Sequence, residues 1–106
     1  LSPLDPMNFN NYVGMGSAHE IAERYDEAVA LYRRGLQERP HALWILRNLV
    51  ASLVGAGHMD EAKVEFAHLR SAYPGFTIAK FKKAMVFSPA VLDRMAGHLK
   101  TIGVPD

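Results

Sequence analysis

Apolar positions along this chain return with the spacing of one helix face. Within 26–39, Ala28, Leu31, Tyr32, Gly35 and Leu36 stand at i, i+3, i+4, i+7 and i+8. Ala62, Phe66, Leu69 and Tyr73 set out a second stripe of the same kind, and 8–22 and 41–55 read as partner helices upstream of each. Past Pro74, the residues Phe76, Ile78, Phe81, Met85 and Phe87 form a short apolar segment, read as a brief helix with an extended exit. Val91, Leu92, Met95, Leu99 and Ile102 then mark a last helix. Ser88 suits its N-cap, Pro89 its first turn and Gly103 its stop. The pattern predicts helices near 8–22, 26–39, 42–55, 60–73, 76–84 and 89–102. Sustained alternation and Asn-Gly or Asp-Gly turns are missing, so the expected class is all-α.

The punctuation is periodic. Pro6, Pro40 and Pro74 stand 34 residues apart, and Asp26-Glu27-Ala28 returns as Asp60-Glu61-Ala62 at the same interval. Laying 7–40 on 41–74 leaves five identities, at Ala22/Ala56, the triplet and Pro40/Pro74. Asp26 and Asp60 are placed to cap helices, and the prolines to stop them. After Pro74 the copy fails, with Arg94-Met95-Ala96 where a third triplet would stand. The expected organisation is therefore a repeat at 7–40, a second at 41–74, and a short helix plus a capping helix over 75–106. Residues 1–6, ending on Pro6, look like the last turn of a preceding repeat. With a first residue that is not Met, they suggest a fragment of a longer protein.

A 34-residue helical pair with these residues resembles the tetratricopeptide repeat, whose pattern runs W-x2-L-G-x2-Y, A-x3-F, P. The first copy reads Tyr12-x2-Met15-Gly16-x2-His19, Ala28-x3-Tyr32 and Pro40. The second reads Leu46-x2-Leu49-Val50-x2-Leu53, Ala62-x3-Phe66 and Pro74. The departures are His19 for an aromatic residue and Val50 for glycine. The resemblance implies an α-solenoid of helix–turn–helix repeats, with Tyr12, Gly16, Ala28, Tyr32, Pro40, Leu49, Ala62, Phe66 and Pro74 as its packing signature. The run from Ser-Pro-Leu-Asp-Pro to Gly103-Val104-Pro105-Asp106 is also similar to the C-terminal repeat region of bacterial class III adenylate/guanylate cyclases and related winged-helix regulators. In that family the repeats follow a catalytic or DNA-binding domain and serve as an interaction or regulatory module. No cyclase catalytic motif lies within this sequence.

Composition narrows the chemistry. The 106 residues are 49% hydrophobic and 22% charged, a globular balance for one domain. Without cysteine there is no disulfide, thiolate zinc site or thiol nucleophile. A net charge of +1 gives no field to gather nucleic acid, and no apolar run reaches membrane-spanning length. A cytoplasmic setting follows most simply. The five histidines show no paired metal-ligand spacing, so neither metal nor cofactor is expected. Gly14-Met15-Gly16-Ser17 lacks the third glycine and the preceding strand of a dinucleotide site, and reads as close helix packing. Gly55-Ala56-Gly57 reads as a turn between helices. Lys80, Lys82, Lys83, Arg94 and Lys100 against Asp93 and Asp106 leave the tail at +3, read as a solvated face. Nothing in the sequence suggests a buried polar cluster with shifted pKa values.

Binding is the function the resemblance implies. In such arrays the first helix of each pair lines a concave groove. The corresponding positions here are Asn10, Val13, Gly14, Ser17 and Glu20, then Trp44, Arg47, Asn48, Ala51 and Val54. Trp44 and Arg47 are residue types that anchor interfaces, and Asn48 could pair with a peptide backbone. Only Arg47 and Asn48 echo the carboxylate clamp of chaperone-binding members, so a chaperone tail is not the expected ligand. The expectation is a noncatalytic module that binds a protein or peptide, with no nucleic-acid or membrane partner. Its alternative is self-association that sets the oligomeric state of a parent cyclase or regulator, and a share in an enzyme site is a third reading. Met7, Phe9 and Val13 are candidate members of an exposed strip through which an uncapped N-terminal end would dimerise.

Overall fold

A computed structural model describes residues 8–106. The expectations for 1–6 and for Met7 lie outside the described residues. Six helices follow one another: α1 (Phe9–Ile21), α2 (Tyr25–Glu38), α3 (Ile45–Gly55), α4 (Met59–Ala72), α5 (Ile78–Ala84) and α6 (Pro89–Ile102). No strand occurs among the described residues. The fold is the expected all-α one, with α1 packed on α2 and α3 on α4 as two helical hairpins, joined through α2 against α3.

The apolar stripes meet in one core. Ala28 and Tyr32 of α2, Leu49, Val50, Ala51 and Leu53 of α3, and Ala62 and Leu69 of α4 are fully buried in it, and Phe66 of α4 nearly so. Helix α3 is buried almost all round, because α6 covers a side of it that neither hairpin reaches. Met95, Ala96 and Leu99 make that contact face on α6, with Val91, Leu92 and Ile102 at its margins. Removing this much hydrocarbon from water is the main stabilising term, at about 25 cal/mol for each Å².

The helix ends differ from expectation in three places. The plainest is α5, which begins at Ile78 rather than 76 because Thr77 caps it, its Oγ1 accepting from Lys80 N. Asp26 and Asp60 do not cap: α2 and α4 begin one residue before them, after Arg24 and His58, with no side-chain cap bond. The aspartates sit in the first turn instead, where their charge complements the positive helix end. Asp26 also takes a 2.8 Å contact from Nε2 of His58, tying one interhelical turn to the next. Helix α3 starts at Ile45 rather than 42, because the chain leaving Pro40 first makes tight turns, with Ala42 N bonded to Arg39 O and Ile45 N to Ala42 O. Trp44 is consequently the residue before the helix, in an αR conformation.

The tail closes as a cap. Ser88 Oγ accepts from Val91 N, Pro89 opens α6, and Gly103 takes the left-handed conformation at φ 113. That turn brings the chain back, so that carbonyls of Pro105 and Asp106 accept from Ile78 N and Ala79 N at the start of α5. Val104 is buried behind it. The C-terminus thereby satisfies helix donors that would otherwise lack partners.

Candidate functional site

The delayed start of α3 shapes the surface beside it. A cavity of about 440 Å³ opens there, lined by Trp44, Arg47, Ala72, Tyr73, Pro74, Gly75, Phe76, Lys80 and Ala84. It lies where the first turn of α3, the end of α4 and the short α5 converge. Its wall is mostly hydrocarbon and aromatic, carries two cations and, among the described residues, includes no carboxylate. Cavities of this size that mix apolar surface with a few placed polar groups are typical ligand sites.

Trp44 and Arg47 are held ready. The Phe9 ring meets the indole edge to face, with centroids 6.0 Å apart at 87°. The guanidinium of Arg39 covers Phe9 at 4.3 Å from its centroid. Arg47 Nε donates to the Trp44 carbonyl at 2.9 Å, which fixes the fork and leaves its terminal nitrogens uncommitted among the described residues. Partial burial pulls the Arg47 pKa below its ordinary value, although the group stays charged at any physiological pH. Trp44 is 39% exposed and Tyr73 40%, a concentration of accessible aromatic surface at one place. Lys80 reaches over Gly75, where a β-carbon would stand only 3.0 Å from its Nζ.

The remaining expected groove positions divide. Asn10 and Gly14 are exposed, and Val13, Ser17 and Val54 are half-buried. Glu20, Asn48 and Ala51 are buried, so they do not line an open groove. α6 packs on α3 and closes that side, and His98 of α6 reaches the backbone of Ala51. The strip expected at Phe9 is likewise corrected: Phe9 is buried between Arg39 and Trp44, and Val13 packs against the core margin.

Burial of Glu20 creates what the sequence did not suggest, a polar cluster inside the molecule. The Tyr32 hydroxyl lies 2.7 Å from Glu20 Oε1 and 3.2 Å from Ser17 Oγ, and Asn48 Nδ2 approaches it at 3.4 Å. Burial drives the Glu20 pKa up to about 7, against the opposing pull of Tyr32, Ser52, Arg94 and Asn48. Burial also raises the Tyr32 pKa, helped by the neighbouring Glu20 charge. Glu20 Oε2, Asn48 Oδ1 and Ser52 Oγ are buried without a partner among the described residues. A protonated Glu20 brings a donor to a cluster that holds these spare acceptors.

α6 seals this cluster from outside. Arg94 does not lie on a solvated face as expected; its Nη2 donates to the carbonyls of Ile21 at 2.7 Å and Glu20 at 3.3 Å, closing the end of α1. The ring of His98 meets Tyr25 at 5.3 Å, and its pKa is lowered by burial and then by Arg94. None of the four principal cavities borders Glu20, Tyr32 or Ser52. The cluster joins α1, α2 and α3, and Arg94 fastens α6 beside it. One signal for it was present in sequence: a tyrosine, with a hydroxyl to satisfy, in the slot that Phe66 fills one repeat later.

Stacked helical hairpins with a 34-residue period, small residues at the crossings and an aromatic residue between neighbours define a helical-repeat protein. The profile of the tetratricopeptide repeat matches residues 21–85, and the chain belongs to that family. No curated protein and no solved structure matches it. Tetratricopeptide repeats generally mediate protein–protein interaction and are typically noncatalytic. No helix among the described residues is long and apolar enough to cross a membrane.

Proposed function

We propose that the chain is a noncatalytic interaction module that holds a peptide segment of another protein in the cavity beside Trp44 and Arg47. The observation that carries this reading is that cavity: an exposed indole braced by Phe9, next to a guanidinium whose position is already fixed. Binding there loses little side-chain freedom, which favours affinity from a small surface. Coverage of the inner side of α3 by α6 directs a ligand toward this end of the groove. The likeness of the tail to the repeats of class III cyclases and winged-helix regulators supports a further step, that the module regulates a larger cytoplasmic signalling protein.

Selection from a fully random displayed dodecapeptide library tests the binding role. Enriched peptides should bind the wild type and lose most of their affinity for Trp44→Ala and for Arg47→Gln, with circular dichroism unchanged. Failure to enrich any peptide that depends on Trp44 rejects the reading.

A further inference from the structure

We propose that the ligand at this cavity is an internal acidic–apolar segment, an aliphatic or aromatic side chain flanked by two carboxylates; this rests on the interaction role proposed above. The argument is charge complementarity on an apolar floor. Arg47 comes from α3 and Lys80 from α5, and neither is paired with a carboxylate among the described residues. Arg33, Lys82, Arg94 and Lys100 do meet carboxylates. Other cations, Lys63 and Lys83 among them, do not among the described residues, and what sets Arg47 and Lys80 apart is that they share one cavity. Two uncommitted cations beside one cavity with no acidic lining among the described residues make a local positive potential on a chain whose net charge is only +1.

The ligand's shape follows from the rest of the wall. Trp44, Tyr73, Phe76, Ala72 and Ala84 offer apolar surface that an aliphatic or aromatic side chain would cover. Arg47, with Nε fixed on the Trp44 carbonyl, keeps its two terminal nitrogens for a carboxylate. A free C-terminus would bring one terminal charge to two cations carried by different elements. Carboxylates on either side of an apolar residue match both. A basic segment would face repulsion from each.

Trp44 is the single tryptophan, so its fluorescence reports occupancy directly. Three displayed dodecapeptide libraries are compared, random except for a central apolar position flanked by a pair fixed as Glu, as Gln or as Lys. The Glu library should enrich about tenfold over the Gln library, with the Lys library lowest. Peptides from it, made acetylated and amidated, should perturb Trp44 fluorescence and weaken with added salt. Lys80→Gln and Arg47→Gln should each cut the preference for Glu, while Arg47→Lys retains most of it. Equal enrichment of the Glu and Gln libraries, a Lys preference, no enrichment at all, a preference untouched by both Gln variants, or tighter binding once the C-terminus is left free would overturn the proposal. Trp44-dependent peptides without acidic residues from the fully random library would overturn it while leaving the interaction role standing.

Discussion

The two repeats share a chain path and fill it differently. At the aromatic slot of α2 stands Tyr32, fully buried between the hairpins, with its hydroxyl turned into the cluster of Glu20, Ser17 and Asn48. At the same slot of α4 stands Phe66, which meets the closing turn at Gly103 and lies under the guanidinium of Arg70, 5.0 Å from its centroid. Opposite these rings, Gly16 of α1 has no room for a β-carbon, which would stand 2.9 Å from the Tyr32 ring, whereas Val50 of α3 is accommodated fully buried. The interhelical turns diverge as well. Glu23 adopts φ 60 where the second repeat has Gly57 at φ 81. The boundary between the two repeats thus holds a partly satisfied polar cluster beside a strained turn and a tight glycine, while the boundary facing α6 is hydrocarbon closed by the cap.

Making the repeats alike should break the first before the second. Gly16→Val copies Val50 into α1 and drives two methyl groups into the Tyr32 ring, which is enclosed and cannot swing away. A loss of about 3 kcal/mol is expected, the upper range for overpacking a core. Urea unfolding followed by far-ultraviolet circular dichroism measures it, and an unchanged midpoint would refute the close approach.

Glu20→Gln tests the polar half of the contrast through pH. The folded carboxyl titrates near 7 rather than its ordinary 4.5, so the folded state holds its proton more tightly than the unfolded one. Below about pH 4.5 both states are protonated and Glu20 carries no penalty. Stability then falls as pH rises toward 7 and levels off above it. Substitution by Gln keeps an acceptor for Tyr32 and removes the charge, so a gain on the order of 2 kcal/mol is expected at pH 8 and almost none at pH 4. His98 acts in the opposite sense, because its lowered pKa removes stability as pH falls through and below its ordinary 6.5. Calorimetric melting of the variant and the wild type at both pH values separates the two groups. A gain that is the same at pH 4 and pH 8 would exclude Glu20 as the source.

The smallest effect belongs to the turns. Glu23→Gly gives the first repeat the residue of the second and relieves a left-handed conformation that costs a side chain about 1 kcal/mol. The 3.6 Å approach of Glu23 to Arg94 is lost with it, so a net gain of roughly 0.5 kcal/mol is expected in chemical denaturation. Any loss greater than that amount would mean that the Arg94 contact matters more than the strain.

The repeat period, the six helices and the aromatic slots were legible in the sequence because each depends on local spacing: proline punctuation, a 3.6-residue stripe and a 34-residue echo. Ser88 and Gly103 were legible for the same reason, since a cap acts within one turn. Trp44 and Arg47 could be singled out by residue type and motif position, but not the cavity they share with Tyr73, Phe76 and Lys80, which exists only once α5 lies beside the start of α3. Asp26 and Asp60 misled because an aspartate suits the first turn nearly as well as the cap. What tertiary structure alone decided was the path of α6. Its apolar stripe required a partner surface without specifying one. Placement of that stripe on α3, with Arg94 closing α1, is what buried Glu20, Asn48 and Ala51 and left the other end of α3 open. Periodicity records how a helix faces its neighbours in sequence; which distant helix covers it is set by the sum of contacts across the whole molecule.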